Sequence, residues 1–421
     1  MKQTFGQKQR QSFKWYELLT AVCFFAFFLI ITALTFLLPQ QTRSESESRA
    51  LTERLAVSRV VSVVAGTAEG SSGFAARAEQ ISKITSQTEK YLSDHIPARS
   101  ALVQRYSEME LAIGKKQVRT VFCLHDGMLF TRVAYFSKPD LAELSQCLAQ
   151  VTEDNDCRMI WCILPIKNAI LSDYEPTYFS GEIDARNREM LLDAFGGIDG
   201  LTVLDGAYRI SQMPLDARLA LVFKTDHHWN ARGAYTSAAD LVQQLADGGM
   251  IAQTSVPSDD DFVWTDLTGR AYQGNLNKWF YNRFSVYETL ELYAPTDPSA
   301  LRYYTTLRGD RPVARESIVA SRLDREIVDY NDVFTDNLGY LRVENPNAPE
   351  GQAILILKDS YQNPMLDYFT AIFREVNVID PRNYQEDANL STLVDERGLD
   401  MVLFLYHQDN ISTELIDFLQ Q

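Results

Sequence analysis

The stretch QAILILKDSYQN (352–363) decides how this chain is read. QAILIL is an apolar run of the kind found in a strand buried on both faces. KDSYQN is then a turn, and PMLDYFTAIF (364–373) reads as a helix with Pro364 near its start, where a missing N–H is tolerated. The same rhythm repeats outward. Downstream, EVNVID (375–380) is a strand, a helical stretch leads to the strand MVLFLYH (401–407), and residues 411–421 close as a helix. Upstream, Ser137, Pro139 and Asp140 open a helix running to about Asn155, and RMIWCILP (158–165) has no polar gap after its first residue. TVLD (202–205) follows, then a helical stretch, a loop, and the helix ARGAYTSAADLVQQLA (231–246) with Asn230 as its N-cap. Strands alternating with helices predict an α/β fold with a mostly parallel sheet and helices on both faces. Ligands in such sheets sit beyond the carboxyl ends of the strands.

Other segments fit around this core. TVFCLH (120–125) and HDGMLF (125–130) read as a strand and a turn into a second strand. Residues 99–115 carry apolar side chains at helical spacing, ended by Gly114. Residues 250–345, rich in aromatic, Asp, Thr and Arg residues with pieces such as FSVYETLELY (284–293), read as an inserted, partly β region of a domain covering 91–421. Residues 39–90 are rich in Ser, Thr, Arg, Glu and Gln and read as a stalk with one helix.

The N-terminus places the chain at a membrane. LLTAVCFFAFFLIITALTFLL (18–38) has no charge and spans about 31 Å as a helix, the thickness of a hydrocarbon core. It is longer than a signal-peptide core, and Pro39, Gln40 and Gln41 follow it in place of a small-residue cleavage site, so it reads as an uncleaved anchor. Lys2, Lys8, Arg10 and Lys14 precede it against Glu17 alone, while Arg43, Arg49 and Arg54 beyond it are balanced by Glu45, Glu47 and Glu53. Residues 1–17 are therefore expected in the cytoplasm and the large C-terminal part outside. With 421 residues and a net charge of −16, the chain lacks the basic footprint of a nucleic-acid binder. A neutral carbohydrate is an easier partner for so acidic a surface than an anionic polymer. Five cysteines are too few for a disulfide scaffold and form no C-x-x-C, which argues against zinc. Cys123 and Cys162 read as buried strand thiols, and pairing among Cys123, Cys147, Cys157 and Cys162 stays open.

Two segments carry chemistry. TDHHWN (225–230) sets two of five histidines beside an aspartate, and KDSYQN (358–363) sets a serine between a buried strand and a helix. Ser360 at such a junction presents its Oγ above the sheet, near backbone N–H groups able to stabilise an oxyanion, although G-x-S-x-G is absent. A serine needs a base, histidine is the usual one, and a buried carboxylate fixes its tautomer. Asp226, one of the two histidines and Ser360 supply all three parts. The competing structural reading is that Asp359 and Asn230 cap helices. A metal reading of Asp226, His227 and His228, superficially like the DHH phosphoesterases, lacks a supporting Asp cluster.

TDHHWN followed by a helix, with KDSYQN more than 100 residues later, resembles the bacterial DHHW protein family. That family is similar to the alginate O-acetylation proteins of the AlgX/AlgJ type, with their SGNH-hydrolase-like domain. YLSDHIPAR (91–99), HDGMLF (125–130) and ILPIK (163–167) add to the resemblance, which covers about 85–421. It implies an SGNH-like fold and a triad of Ser360 as nucleophile, His228 as base and Asp226 as its orienting carboxylate, with His227 at the variable position. Asn363, Tyr361, Lys167 and His227 become candidate oxyanion or substrate contacts, and Arg270, Tyr272 and Lys278 candidate sugar contacts. Lys358 departs from the usual Gly-Asp-Ser block. The implied activity is O-acetyl transfer to a cell-surface or secreted polysaccharide, beside a multi-spanning membrane acyltransferase, with neither cofactor nor metal. The alternatives are a carbohydrate esterase using the same triad, and a non-catalytic envelope-polymer binding or assembly factor.

Overall fold

The structure, a computed structural model, describes residues 15–39, 41–44, 49–68, 73–118, 120–124, 127–174, 183–280, 283–284 and 288–421. The basic tail at 1–14, parts of HDGMLF (125–126) and of FSVYETLELY (285–287), and the middle of the mixed-charge run (45–48) lie outside them. The chain divides into two compact units, Met1–Ile113 and Gly114–Gln421.

The first unit is helical. Trp15–Leu37 is one continuous 23-residue helix, and among the described residues it alone is long and apolar enough to cross a membrane. Val57–Ala65, Phe74–His95 and Arg99–Ala112 are further helices. The stretch expected to be a stalk with one helix holds Val57–Ala65 and most of Phe74–His95, and the division between units falls at 113/114, after the helix assigned from sequence to the second domain. Gly114, at φ 90°, takes the left-handed conformation that stops that helix.

The second unit is built on seven strands: β1 (Arg158–Leu164), β2 (Leu201–Asp205), β3 (Arg302–Tyr304), β4 (Tyr340–Glu344), β5 (Glu350–Lys358), β6 (Phe373–Ile379) and β7 (Met401–His407). Their spatial order is β3-β4-β6-β5-β7-β1-β2. The five strands from β6 to β2 are parallel, and β4 and β3 extend one edge antiparallel. Residues 302–304 and 340–344 thus belong to the central sheet, so the region read as an insertion narrows; what remains includes the two-stranded ribbon Phe262–Asp266 with Glu291–Pro295. The helix expected over 364–373 is shorter: a 3₁₀ turn at Ser360–Met365 and a helix at Leu366–Thr370, with Phe373 already in β6. Pro364 inside that segment removes an N–H and favours the tighter turn.

Alternation along the strands separates two cores. Ile354, Ile356, Leu403, Leu405, Ile160 and Cys162 face one layer, which contains Leu241, Val242 and Leu245 of the helix Ala231–Asp247. Leu355, Leu357, Val402, Phe404, Met159 and Trp161 face the other, with Leu144 and Leu148 of Lys138–Asp154, Phe195 of Ile183–Phe195 and Leu415 of Thr413–Leu419. Each such side chain contributes about 1.5–3 kcal/mol by leaving water. The parallel register sets Lys358 beside Leu405 and His407 beside Leu164, which aligns the carboxyl ends of β5, β7 and β1 along one rim.

Trp161 is fully buried and packs against Phe195, Phe404 and Tyr406, with ring centroids 4.7, 5.6 and 5.6 Å away. Its Nε1–H is buried without a partner among the described residues. Trp161→Ala is expected to lower the unfolding free energy of the chain by about 3–5 kcal/mol. Trp161→Phe should lower it markedly less, because it also removes an unsatisfied donor. Urea titration of the three proteins measures the difference.

Candidate active site

TDHHWN lies in a loop between the short helix Leu215–Leu219 and the helix Ala231–Asp247. An antiparallel bridge between Val222 and Trp229 pinches the loop, and Asn230 N–H donates to the Leu221 carbonyl at 2.9 Å. Asn230 also caps the following helix, its Oδ1 accepting from the N–H groups of Arg232 and Gly233. A side chain at Gly233 would put its Cβ 2.4 Å from the Leu221 carbonyl oxygen, so the bridge requires glycine there.

Two hydrogen bonds tie this loop to the serine segment. The indole N–H of fully buried Trp229 donates to the Tyr361 carbonyl at 2.9 Å, and the Tyr361 hydroxyl donates to the His227 carbonyl at 2.7 Å. Together they bring positions more than 130 residues apart into contact. His228 Nε2 stands 2.8 Å from Ser360 Oγ, and His228 Nδ1 stands 2.8 Å from Asp226 Oδ1. A Tyr330 ring stacks on the His228 imidazole at 3.9 Å and 11°, and its hydroxyl donates to the Ser360 carbonyl at 3.1 Å.

Asp226 is fully buried. Its Oδ2 accepts from the Asn275 N–H at 2.7 Å and the Tyr272 hydroxyl at 3.2 Å. Burial disfavours its charge, but the His228 and His227 rings and the Asn275 N–H outweigh that and hold the carboxyl well below the usual carboxylate range. An ionised Asp226 accepting from Nδ1 leaves Nε2 as the basic nitrogen that faces the serine. His227, with a third of its side chain exposed, packs against His228 with ring centroids 3.8 Å apart and the planes tilted by 37°. Burial and the His228 ring lower its pKa, against the pull of Asp226.

Lys167 does not face the serine. It is buried, and its three N–H groups donate to the carbonyls of Leu129, Lys224 and Asp226 at 2.7, 2.9 and 2.9 Å. It fixes the loop rather than offering a donor. Buried Glu288 supports the same loop, accepting from the N–H groups of Lys224 and Thr225 and from the Thr225 hydroxyl. Asn363 is also committed elsewhere: its Oδ1 accepts from Lys358 at 2.5 Å and its amide donates to Asn337 at 3.0 Å. Lys358, at the glycine position of the related serine blocks, avoids the left-handed region and buries its ammonium against Asn337, Asn363 and Asp380. Burial lowers that ammonium to about 8, with Asp380 opposing.

Of the candidate sugar contacts, Tyr272 bonds the Asp226 carboxylate. Lys278 pairs with Asp329 at 3.1 Å, and Arg270 donates to the Leu323 carbonyl. Asp226, His227 and His228 bring potential metal-ligand atoms within 4.8 Å of one another. Both nitrogens of His228 are already engaged with Asp226 and Ser360, so a cation held there by His228 would break the chain.

Sequence reasoning missed a second aspartate–histidine pair. Asp359 caps the serine turn, its Oδ1 accepting from the Tyr361 N–H at 2.9 Å. Its Oδ2 accepts from His407 Nδ1 at 2.6 Å and from the His407 N–H at 2.9 Å. His407 ends β7, and a histidine at the carboxyl end of a buried parallel strand was the signal that could have found it. Tyr330 and Glu288 sit in the aromatic region with no local pattern to mark them.

The chain resembles the DHHW protein family: that family's model matches residues 205–379, which include Asp226, His228 and Ser360. No curated protein matches the sequence. Bacillus cereus PatB1, solved with a sulfonyl adduct, superposes with a TM-score of 0.61 at 19% identity, over 71% of this chain and 97% of that one. A DHHW family protein from Eubacterium siraeum superposes at 0.53 and 17% identity, over 72% and 96%. The O-acetyltransferase domain of Pseudomonas putida AlgJ superposes at 0.43 and 14%, over 71% and 98%. The first two likenesses show a shared fold, and the SGNH-like α/β architecture expected from the motifs is the one found.

Lys167→Met is expected to leave three buried carbonyls without this donor, at roughly 1–3 kcal/mol each. Urea titration should show at least about 3 kcal/mol of lost stability, on the same principle. A loss under 1 kcal/mol would mean that the carbonyls find other partners.

Proposed function

We propose that this chain is a membrane-anchored O-acyltransferase that transfers an acetyl group to a cell-surface or secreted polysaccharide through Ser360. The observation that carries the reading is the unbroken chain of 2.8 Å links from Ser360 Oγ through His228 to the buried Asp226. The fold held in common with PatB1 and the match to the DHHW family support it.

In the proposed cycle, Ser360 Oγ attacks the carbonyl carbon of an acetyl donor while its proton passes to His228 Nε2. The tetrahedral oxyanion collapses, the donor's leaving group takes the proton from His228, and Ser360 carries the acetyl ester. A sugar hydroxyl then attacks the ester carbonyl, giving its proton to His228, and the second collapse returns that proton to Ser360 as the acetylated sugar leaves. Asp226 stays ionised and stabilises the imidazolium formed in each half. The Ser360 N–H, first in the 3₁₀ turn, donates to no partner among the described residues and is the oxyanion donor in this scheme. Attack by water in place of sugar makes the same site an esterase. The sequence-level reason for a binding-only protein is the lysine at 358; its backbone avoids the left-handed region and its ammonium is engaged by Asn337, Asn363 and Asp380, which weakens that reason.

The apolar helix Trp15–Leu37 and the basic residues before it support an anchor with the C-terminal unit outside the cytoplasm. On this reading a multi-spanning membrane acyltransferase supplies the acetyl groups, as the resemblance implies. A phosphatase fused to the C-terminus should be active only in that orientation.

A chromogenic acetyl ester and a sulfonyl fluoride test the site. Ser360→Ala should abolish both ester cleavage and covalent labelling, while His228→Ala and Asp226→Asn should slow them by roughly 10³–10⁴-fold. Wild-type rates in Ser360→Ala and His228→Ala would overturn the mechanism.

A further inference from the structure

A cavity of 380 Å³ opens beside the triad at the carboxyl ends of β1 and β7. The strand order reverses here: β1 leads to β2 on one side, β5 leads to β6 on the other, and the last strand β7 lies between β1 and β5. Clefts at such switch points are the usual ligand sites of parallel sheets. His227 and Tyr361 line the cavity, and they are the immediate chain neighbours of His228 and Ser360.

His407 lines it as well, and its construction repeats that of His228. In both, Nδ1 is fixed by a buried carboxylate, Asp226 for one and Asp359 for the other. His228 Nε2 meets Ser360, whereas His407 Nε2 has no hydrogen-bond partner among the described residues. The two carboxylates flank the same site, since Asp359 immediately precedes Ser360. The His407 ring is held flat by Tyr361, at 4.7 Å and 28°. Tyr135 also lines the cavity, and its side chain stands 62% exposed. Asp409, whose Oδ1 is held by Asn187 at 3.1 Å, also lines the space.

These groups match a sugar. A pyranose offers apolar C–H faces to aromatic rings and hydroxyls to an imidazole nitrogen or a carboxylate oxygen. The volume lies at the small end of the roughly 300–1,000 Å³ typical of ligand pockets. The acidic character of the whole chain disfavours a polyanion.

We propose that this cavity is the acceptor subsite, holding a sugar residue of a neutral polysaccharide, with His407 Nε2 bonding a hydroxyl and Tyr135 covering a ring face. The proposal rests on the acyl-transfer reading above and deepens it. His407 is a positioning and specificity residue: it sets the acceptor against the acetyl-Ser360 ester and exchanges no proton with it.

The test uses the full chain in detergent, 4-nitrophenyl acetate as donor, and neutral glucan, mannan and N-acetylglucosamine oligosaccharides as acceptors. The nitrophenol burst reports acetylation of Ser360, and the acceptor KM of transfer reports the subsite. In His407→Gln and in Tyr135→Ala, acceptor KM should rise by a factor at least ten times larger than the fall in burst rate. Tyr135→Ala carries weight because its exposed ring can be removed without touching Asp359. An unchanged acceptor KM in either variant overturns the proposal. So does a parallel loss of burst and transfer in His407→Gln, or failure of every neutral oligosaccharide to serve the parent protein. Absence of any burst in the parent protein would instead overturn the acyl-transfer reading itself.

Discussion

The two hydrogen bonds between Tyr361 and the TDHHWN loop are the constraint on which the site depends. The Trp229 indole and the Tyr361 hydroxyl each bridge the two segments, the first bond fully buried and the second partly so. In that setting an unmade bond costs about 1–3 kcal/mol, so the loop and the serine turn settle together or not at all. The distance between Ser360 and His228 is a consequence of this lock. Asp226 and His228 need no such help, because they are two residues apart on one pinched loop.

Around the lock, polar groups that sequence inspection would assign to substrate serve the scaffold. Lys167 holds three carbonyls, including that of Asp226. Tyr272 and the Asn275 N–H steady the Asp226 carboxylate, and the close passage of Gly274 by Thr225 makes the latter contact possible: a Cβ at Gly274 would lie 2.2 Å from Thr225 Oγ1. The site is thus held by neighbours whose own hydrogen bonds are satisfied, which is how a geometry is kept within a few tenths of an ångström.

The parallel strands were legible because they are apolar without interruption; MVLFLYH matches β7 at both ends, and QAILIL lies inside β5. Pro364 has the look of a helix start and so overextends the helix expected after Ser360, whereas the chain makes a 3₁₀ turn through it. The edge strands β3 and β4 were hidden in the aromatic region, since short antiparallel edge strands carry little periodicity. Asp226, His228 and Ser360 were visible as residue types at strand ends. His407 was overlooked as the tail of a strand, and Tyr330 meets the imidazole only through tertiary packing that no local pattern encodes.

The serine turn also has a consequence for how the protein fails. Asp359 is at once the cap of that turn, the anchor of His407 and the residue before Ser360. A single carboxylate therefore couples the ends of β5 and β7, and a disturbance at the carboxyl end of β7 is transmitted to Ser360 without passing through the hydrophobic layers. Chemistry at this rim is expected to fall silent under mild stress while the sheet beneath remains intact, so that loss of reactivity is an early alarm and loss of secondary structure a late one.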